Sequence, residues 1–356
     1  MDRVRFLGCV FRLVVVARSS NKKEGNMMGA CRKVAWIGGI LLLGILVAQS
    51  GAEAAYPDKP VDIIAPASPG GGWDLTSRMT AKVLKESGLV TQPLVVSNKV
   101  GGFGMVAMTD IVRNRRKDNY VLLAFSAVLT TQMATNNNPY RWKDITPIAS
   151  LFVDYGAFAV RKESKYATLK DLLEDWKKNP GVLTFAGSSG PGGMDHMRVA
   201  MLAKAAGIPV KAVRYVAFPS GGDALSALLG GHTTAFVGEA GEIAGQVEAG
   251  TVRALVALSD QKLPGAFAKV PISKELSLDV VSPNWRGFYG PPEMSKDVVR
   301  FWEETFARMI KTPAWKQVLE QQAWVDYFQT GEKFQTFLNN ELSMYEKLAK
   351  ELELVK

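Results

Sequence analysis

The chain has 356 residues, 47% of them hydrophobic and 22% charged, which excludes a disordered polymer and leaves room for two domains. Its 43 Lys and Arg against 34 Asp and Glu give a net charge of +9. The first 55 residues hold 8 of the basic and 3 of the acidic groups, so the remainder carries 35 against 31, or +4, without a dense basic run. That excludes nucleic acid as the expected partner and suits a small anionic ligand.

In chain order, residues 28–33 supply a charged start, 34–47 an apolar run and Ala52-Glu53-Ala54 a small-residue cleavage pattern, which together predict a secretory signal peptide removed after Ala54 or Ala55. The run is too short and Gly-rich for a membrane span, which needs about 20 apolar residues. Residues 1–27 precede Met27 and Met28 and read as an over-long start. Cys9 and Cys31 both fall within residues 1–55, so the mature chain is expected to lack a disulfide and a thiol nucleophile. Cys31 precedes the apolar run, the wrong order for a lipid anchor, and a free periplasmic protein is expected.

Short β-rich apolar runs predict strands at 61–66, 94–97, 120–125, 156–160, 182–186, 212–216, 234–237 and 252–258. Helical patterns lie between many of them. Leu75, Met79, Val83 and Leu84 share one face, with Arg78, Lys82 and Lys85 opposite and Gly88 at the end. The alternation predicts α/β layers with largely parallel sheets. There is no fixed-period repeat and no low-complexity linker. The pattern changes near 156–160 and again near the aromatic, Pro-bounded segment 282–295, so one domain is expected to comprise 56–156 and 282–356 and the other 157–281. Helices are expected at 296–311 and 331–356, with Val298, Phe301, Trp302, Phe306 and Met309 as core.

Four segments repeat a strand, a Gly- or Ser-bearing turn and a helix: 66–76 (PASPGGGWDLT), 97–108 (SNKVGGFGMVAM), 124–134 (AFSAVLTTQMA) and 185–197 (FAGSSGPGGMDHM). Glycine admits a ligand close to backbone amides, and a helix N-terminus offers unpaired donors with partial positive charge, so the loops can form an anion cradle. Any one of them can equally be a turn and a helix cap. Loops of this kind gather at the carboxyl ends of strands, where open α/β sheets bind ligands.

Three other chemistries fail on spacing. No loop ends in Gly-Lys-Ser/Thr, so a nucleotide-triphosphate loop is excluded. The segment 102–107 matches G-x-G-x-x-A, but the following strand ends at Phe125-Ser126 without an acid for a ribose hydroxyl. Ser188, Ser189, Asp195 and His196 are the residue types of a hydrolytic triad but crowd into nine positions, and no G-x-S-x-G elbow exists. With His196 and His232 the only histidines, a His/Cys metal site is not expected, nor is any cofactor.

His196 follows a glycine loop and divides evenly between a local hydrogen bond and a ligand contact. Asp74 suits a helix cap more than a ligand contact; facing a pocket, it would select through a hydroxyl, ammonium or water. Trp73, in its glycine-rich turn, is expected to wall the cleft.

The chain resembles the periplasmic solute-binding receptors of tripartite tricarboxylate transporters, also named after the Bordetella uptake genes. The resemblance is carried by YPDKPVDIIAPASPGGGWD, VVSNKVGGFG, FAGSSGPGGMDHM, FPSGGDALSALLGGHTTAFVG, VEAGTVRALVALSD and NWRGFYGPPEMS, in that order. It implies a two-lobed α/β binding protein of the type II, flytrap kind, with a cleft between its domains that closes on a small carboxylate held by loop amides and waters. Its first loop maps onto Pro69, Gly70, Gly71 and Asp74, and Gly72 and Trp73 between them are expected to face the ligand as well. The second maps onto Asn98, Gly101, Gly102 and Gly104, and the inter-strand serine onto Ser126. The second-lobe loop maps onto Gly187, Ser188, Ser189, Gly190, Gly192 and His196, and a further cleft loop onto Ser220, Gly221 and Gly222. Many relatives have another residue at Trp73 and a Lys or Tyr near Phe218; the tryptophan together with NWRGFYGP is similar to the tricarboxylate-receptor branch.

The resemblance implies a monomeric receptor, not an enzyme, that delivers citrate, another di- or tricarboxylate, or an aromatic carboxylate to large and small integral membrane subunits. Two rivals stay open on sequence: a secreted hydrolase or transferase using the loops as an oxyanion or phosphate site, and a receptor that reports its ligand to a signalling partner.

Overall fold

The computed structural model describes residues 56–135 and 138–351. The expected leader, both cysteines and residues 352–356 of the second terminal helix lie outside them. In chain order the elements are β1 (Val61–Ala65), α1 (Gly72–Glu86), β2 (Leu94–Asn98), α2 (Met105–Asn114), β3 (Val121–Ser126), α3 (Ala127–Ala134) and β4 (Thr146–Arg161). They continue with α4 (Leu169–Lys178), β5 (Thr184–Gly187), α5 (Met194–Ala205), β6 (Arg214–Ala217), α6 (Gly221–Leu229), β7 (Ala235–Glu239), α7 (Ala240–Glu248) and β8 (Val252–Ala257). The last are β9 (Pro283–Gly290), α8 (Lys296–Met309), α9 (Pro313–Gln321), β10 (Val325–Thr330) and α10 (Gly331–Glu351).

The strands follow the order β2-β1-β3-β9-β4-β7-β5-β6, with β10 and β8 also paired to β4. The expectation of largely parallel sheets holds only for the outer strands. β1 is parallel to β2 and β3, and β5 to β6 and β7, because helices between them return the chain to the same end. The pairs of β9 with β3 and β4, and of β4 with β7, β8 and β10, are antiparallel.

β4 runs for 16 residues, of which 156–160 is only the last part. Its first part carries Ser150 and Asp154, both buried, inside an otherwise apolar run. Polar residues on a strand covered on both faces interrupt the hydrophobic signal, which is why this stretch escapes a periodicity reading. Along β4 the partner changes between Tyr155, paired with Pro283 of β9, and Gly156, paired with Glu239 of β7. The crossing is tied by backbone: Gly156 N donates to Ser282 O at 3.0 Å, Leu258 N to Gly156 O at 2.7 Å and Ser282 N to Leu258 O at 2.9 Å.

The helices begin where their sequences provide caps. Thr168 and Asp171 cap α4 reciprocally, Thr312 precedes Pro313 at the first position of α9, and Ser126 and Ser220 cap α3 and α6. On one side of the crossing the core joins Val61, Ile63, Phe152 and Phe288 to Trp302, Phe306, Trp315 and Trp324. Phe152 stacks on Trp324 at 3.8 Å between ring centres. On the other side Phe158, Leu172, Trp176, Phe185, Val199 and Val256 pack together. Trp302, Phe306 and Met309 of α8 are fully buried, as their helical spacing predicts.

Candidate functional site

The loop after β1 is braced by its own side chains. Asp74 is buried and accepts from Gly70 N at 2.9 Å, Asn98 Nδ2 at 2.8 Å and Arg78 Nε at 2.9 Å. Asn98 Nδ2 also donates to Ala67 O at 2.7 Å. Asp74 and Asn98 therefore hold the loop in shape; Asp74 is not the cap expected of it, because Gly71 takes that position and Asp74, the third residue of α1, bonds back to the loop before it. Beyond them the first amide of α1, Gly72 N, donates to Glu242 Oε1 at 2.8 Å. Trp73 lies against Phe125, 4.9 Å between ring centres, and donates from Nε1 to Ser126 Oγ at 3.1 Å.

Across from this loop, Ser188 N and Ser188 Oγ both donate to Asp195 Oδ2, at 2.8 and 3.1 Å, while Asp195 N donates to Ser189 Oγ at 2.8 Å. Tyr215 donates to Ser189 O at 2.6 Å. His196 accepts from Gly192 N at its Nδ1 (2.9 Å) and stacks on Tyr215, so it serves its own loop and not a nucleophile. Burial pushes the imidazole below its usual range. Phe103, left-handed at φ 52°, lays its ring on Gly190, where a Cβ would come within 3.0 Å of it.

These loops meet. A Cβ on Gly71 would lie 3.0 Å from Ser220 Cβ, and Ser68 Oγ donates to Asp223 Oδ2 at 3.1 Å. Between them is a cavity of about 40 Å³, lined by Gly72, Trp73, Phe103, Ser126, Ser188, Ser189, Asp195, Ser220, Gly221, Glu239, Glu242, Asn284 and Arg286, together with Ala67, Val128, Met194 and Pro219. Gly72 and Gly221 are required for close approach. A Cβ on Gly72 would collide with the Arg286 guanidinium and one on Gly221 with the Glu242 carboxylate.

The cavity floor is a buried charge network. Arg198 is fully buried, donating to Asp195 Oδ1 at 2.7 Å, Glu239 Oε1 at 2.9 Å and Ser282 Oγ at 2.8 Å. Arg286 Nη2 lies 3.4 Å from Glu239 Oε2 and 3.9 Å from Glu242 Oε1, and its Nε is 3.8 Å from Asp154 Oδ2. Asn284 Nδ2 donates to Glu239 Oε1 at 2.6 Å. Burial opposes ionisation of Glu239, but Arg198 and Arg286 outweigh it and hold the carboxyl below its usual range. Burial, then Glu239, pushes Glu242 well above that range and raises Asp195. Asp154 is pushed up to about 7, chiefly by burial and against the pull of Arg286. Among the described residues no group of three or more His, Cys, Asp or Glu side chains is arranged to hold a metal ion.

The family model for the tripartite tricarboxylate transporter family receptor matches residues 77–354. The chain belongs to this family. It is a family of substrate-binding receptors and not of enzymes. The Bordetella pertussis protein BugT is 24% identical over 322 residues, covering 88% of this chain and 96% of BugT. The structure of the periplasmic binding protein BugD superposes with a TM-score of 0.76 at 22% identity, over 85% of this chain and all of BugD. That of R. palustris Rpa4515 with adipate superposes with 0.73 at 20%, over 83% and 97%. These likenesses show the two-lobed α/β fold of periplasmic binding proteins. Among the described residues no helix is long and apolar enough to cross a membrane.

Of the receptor positions anticipated from sequence, Gly72, Trp73, Ser126, Ser188, Ser189, Ser220 and Gly221 line the cavity. Gly102 and Gly190 line a neighbouring space of about 240 Å³ under Phe103. Pro69, Gly70, Gly71, Asp74, Asn98, Gly192 and His196 line neither; Gly70, Gly192 and His196 close hydrogen bonds within their own loops, and Pro69 and Gly71 pack against the α6 N-terminus. The amides expected to be free for a ligand are in large part answered from within: Gly72 by Glu242, Ser188 by Asp195 and Ser189 by Tyr215. Sequence reasoning missed Asp154, Glu239, Glu242, Asn284 and Arg286. The available signals were a lone arginine inside the apolar run of β9 and one more strand-to-helix turn at Gly238-Glu239.

Proposed function

We propose that this receptor works outside the cytoplasm, after removal of its leader, and captures a small carboxylate between two lobes, 56–156 with 282–356 and 157–281. It then hands the ligand, as a monomer, to the large and small membrane subunits of its transporter. Support for the lobes comes from β4, which exchanges β9 for β7 between Tyr155 and Gly156. The observation that carries the ligand class is the convergence on one cavity of the α6 N-terminus, at Gly221, the serines Ser126 and Ser189, and the buried Arg286. Helix N-termini and a guanidinium favour negative charge, and exclusion of water strengthens both. Binding energy then selects the closed arrangement.

The cavity of about 40 Å³ has room for roughly three waters, at about 10–15 Å³ each. Adipate in the Rpa4515 structure is a dicarboxylate on the same fold. Calorimetry of the purified protein with malate, adipate, citrate, benzoate and a neutral sugar tests the reading. A carboxylate is expected to bind and the sugar not to; sugar binding without any carboxylate binding overturns it.

A further inference from the structure

Met194, the first residue of α5, lines two spaces: the small cavity described above and a second pocket of about 740 Å³. No other described residue is shared between them. The second volume falls within the range of about 300–1,000 Å³ typical of small-molecule sites. Its walls come from both sides of the crossing, with Met197 and Met201 on α5 and Trp285, Tyr327 and Phe337 on β9, β10 and α10. Trp285 and Phe337 meet edge to face at 6.0 Å between ring centres, and Phe337 and Tyr327 at 5.6 Å. Trp285 and Met197 are buried, while Val281 and Met344 at the rim are 43% and 54% exposed. The pocket is thus a deep apolar space with an open mouth, walled by rings and adaptable thioethers.

Its charge is the reverse of that of the small cavity. Among the described residues that line it there is no Lys, Arg or His, and the two ionisable carboxyls are Asp326 and Glu341. Glu341 Oε2 accepts from Thr130 Oγ1 at 2.6 Å, and Trp285 Nε1 is shared between both carboxylate oxygens at 2.8 Å. Two donors leave the carboxylate with acceptor capacity on Oε1. An anion entering here meets acids and no cation. A neutral molecule gains by burial alone, whereas a cation gains also from the carboxyls and from the electron-rich ring faces.

We propose that this pocket is a second binding site, for an amphiphilic amine whose apolar body packs on the methionines and rings and whose ammonium lies on Glu341. The site is independent of the carboxylate reading. An alcohol with the same body fills the space without supplying charge, and a carboxylate is turned away.

The proton on Glu341 supplies a signature. Burial pushes this carboxyl up to about 7, against the pull of Thr130 and Trp285. The titratable groups around it are Tyr289 on β9, Asp326 and Tyr327 on β10 and Tyr345 on its own helix, with the Arg198 guanidinium on α5 acting on Tyr345. The three phenols are raised by burial and stay neutral near pH 7. An alkylamine, like a lysine, is charged throughout this range. Its affinity therefore rises with pH through about 7, as the carboxyl ionises, and levels off above.

The test is calorimetry of the purified protein at pH 6, 7 and 8 with 4-phenylbutylamine, 4-phenylbutanol and 4-phenylbutyrate, which share one apolar body. Carbon-13 labelling of the methionine methyl groups locates the binding. At pH 8 the amine is expected to bind about tenfold or more tighter than the alcohol and to move the signals of Met197, Met201 and Met344. Glu341→Gln is expected to bring amine and alcohol within about threefold of each other and to flatten the pH dependence; Met344→Arg, at the exposed rim, is expected to weaken the amine by about tenfold. Amine binding no tighter than that of the alcohol, phenylbutyrate moving the same methionine signals with equal or higher affinity, or none of the three probes moving them overturns the proposal. If Glu341→Gln does not fold, the ranking of the probes, its pH dependence and Met344→Arg decide.

Discussion

Gly72 and Glu242, 170 positions apart, are joined by a 2.8 Å hydrogen bond from the first amide of α1 to a carboxylate on α7. The helix end that reads in sequence as an open anion cradle is capped by an acidic side chain of the same chain. The space beyond Gly72 is taken by Arg286. A single added methyl therefore displaces a buried guanidinium from its place among Glu239, Glu242 and Asp154. Gly72→Ala is expected to weaken carboxylate binding by about tenfold or more and to lower stability by about 1–3 kcal/mol. Calorimetry and urea unfolding check both; unchanged affinity would refute the placement of Arg286 against α1.

Asp74 ties Gly70, Asn98 and Arg78 together and lines no part of the cavity. Asp74→Ala is expected to cost about 1–2 kcal/mol of stability with the order of ligand preference unchanged, whereas Asp74→Asn keeps an acceptor for Gly70 and costs less. A change in ligand order with stability intact would return Asp74 to the binding site.

Arg198 stands between Asp195 and Glu239 with none of its side chain exposed. Arg198→Met is expected to destabilise by about 3–5 kcal/mol, because it leaves buried carboxylates without their cation. The loss should shrink at acid pH, where those carboxyls protonate. Urea unfolding at pH 5 and 8 measures it, and a cost under about 1 kcal/mol at pH 8 contradicts the network.

Glu341 on α10 accepts from Thr130 Oγ1 at 2.6 Å and Trp285 Nε1 at 2.8 Å, and burial lifts its carboxyl to about 7 despite those donors. Between the ordinary value of 4.5 and about 7 the folded protein keeps a proton that the unfolded chain has lost. Stability from this group therefore falls as pH rises through that window, by roughly 3 kcal/mol in all, and is level above it. Glu341→Gln, which still offers an acceptor, is expected to remove this slope and so to gain on the unaltered protein from pH 5 to pH 8. Parallel stability curves for the two proteins would refute it.

What the sequence discloses here divides along a physical line. The loops at 66–76 and 185–197 are legible because a strand, glycines and a helix follow one another locally, and the seven anticipated positions that line the cavity come from such turns or from those at Ser126 and Ser220. Asp154 and Arg286 are each a single charge in an apolar stretch, Glu239 and Glu242 stand together at the turn from β7 into α7, and only the pairing of β4 with β7 and β9 gathers them. A lone buried charge looks locally like a mistake in a core; its partner lies up to 132 positions away, the separation of Asp154 and Arg286. The mixed direction of the sheet was hidden likewise, because antiparallel return of β9 is a long-range event that no local period records.

β4 passes unbroken through the crossing, and Gly156, Leu258 and Ser282 are knotted there by three backbone hydrogen bonds. The closure proposed above would therefore have to bend bonded ribbons instead of turning about a slack joint, and the energy for that bending would come from the molecule bound between its arms.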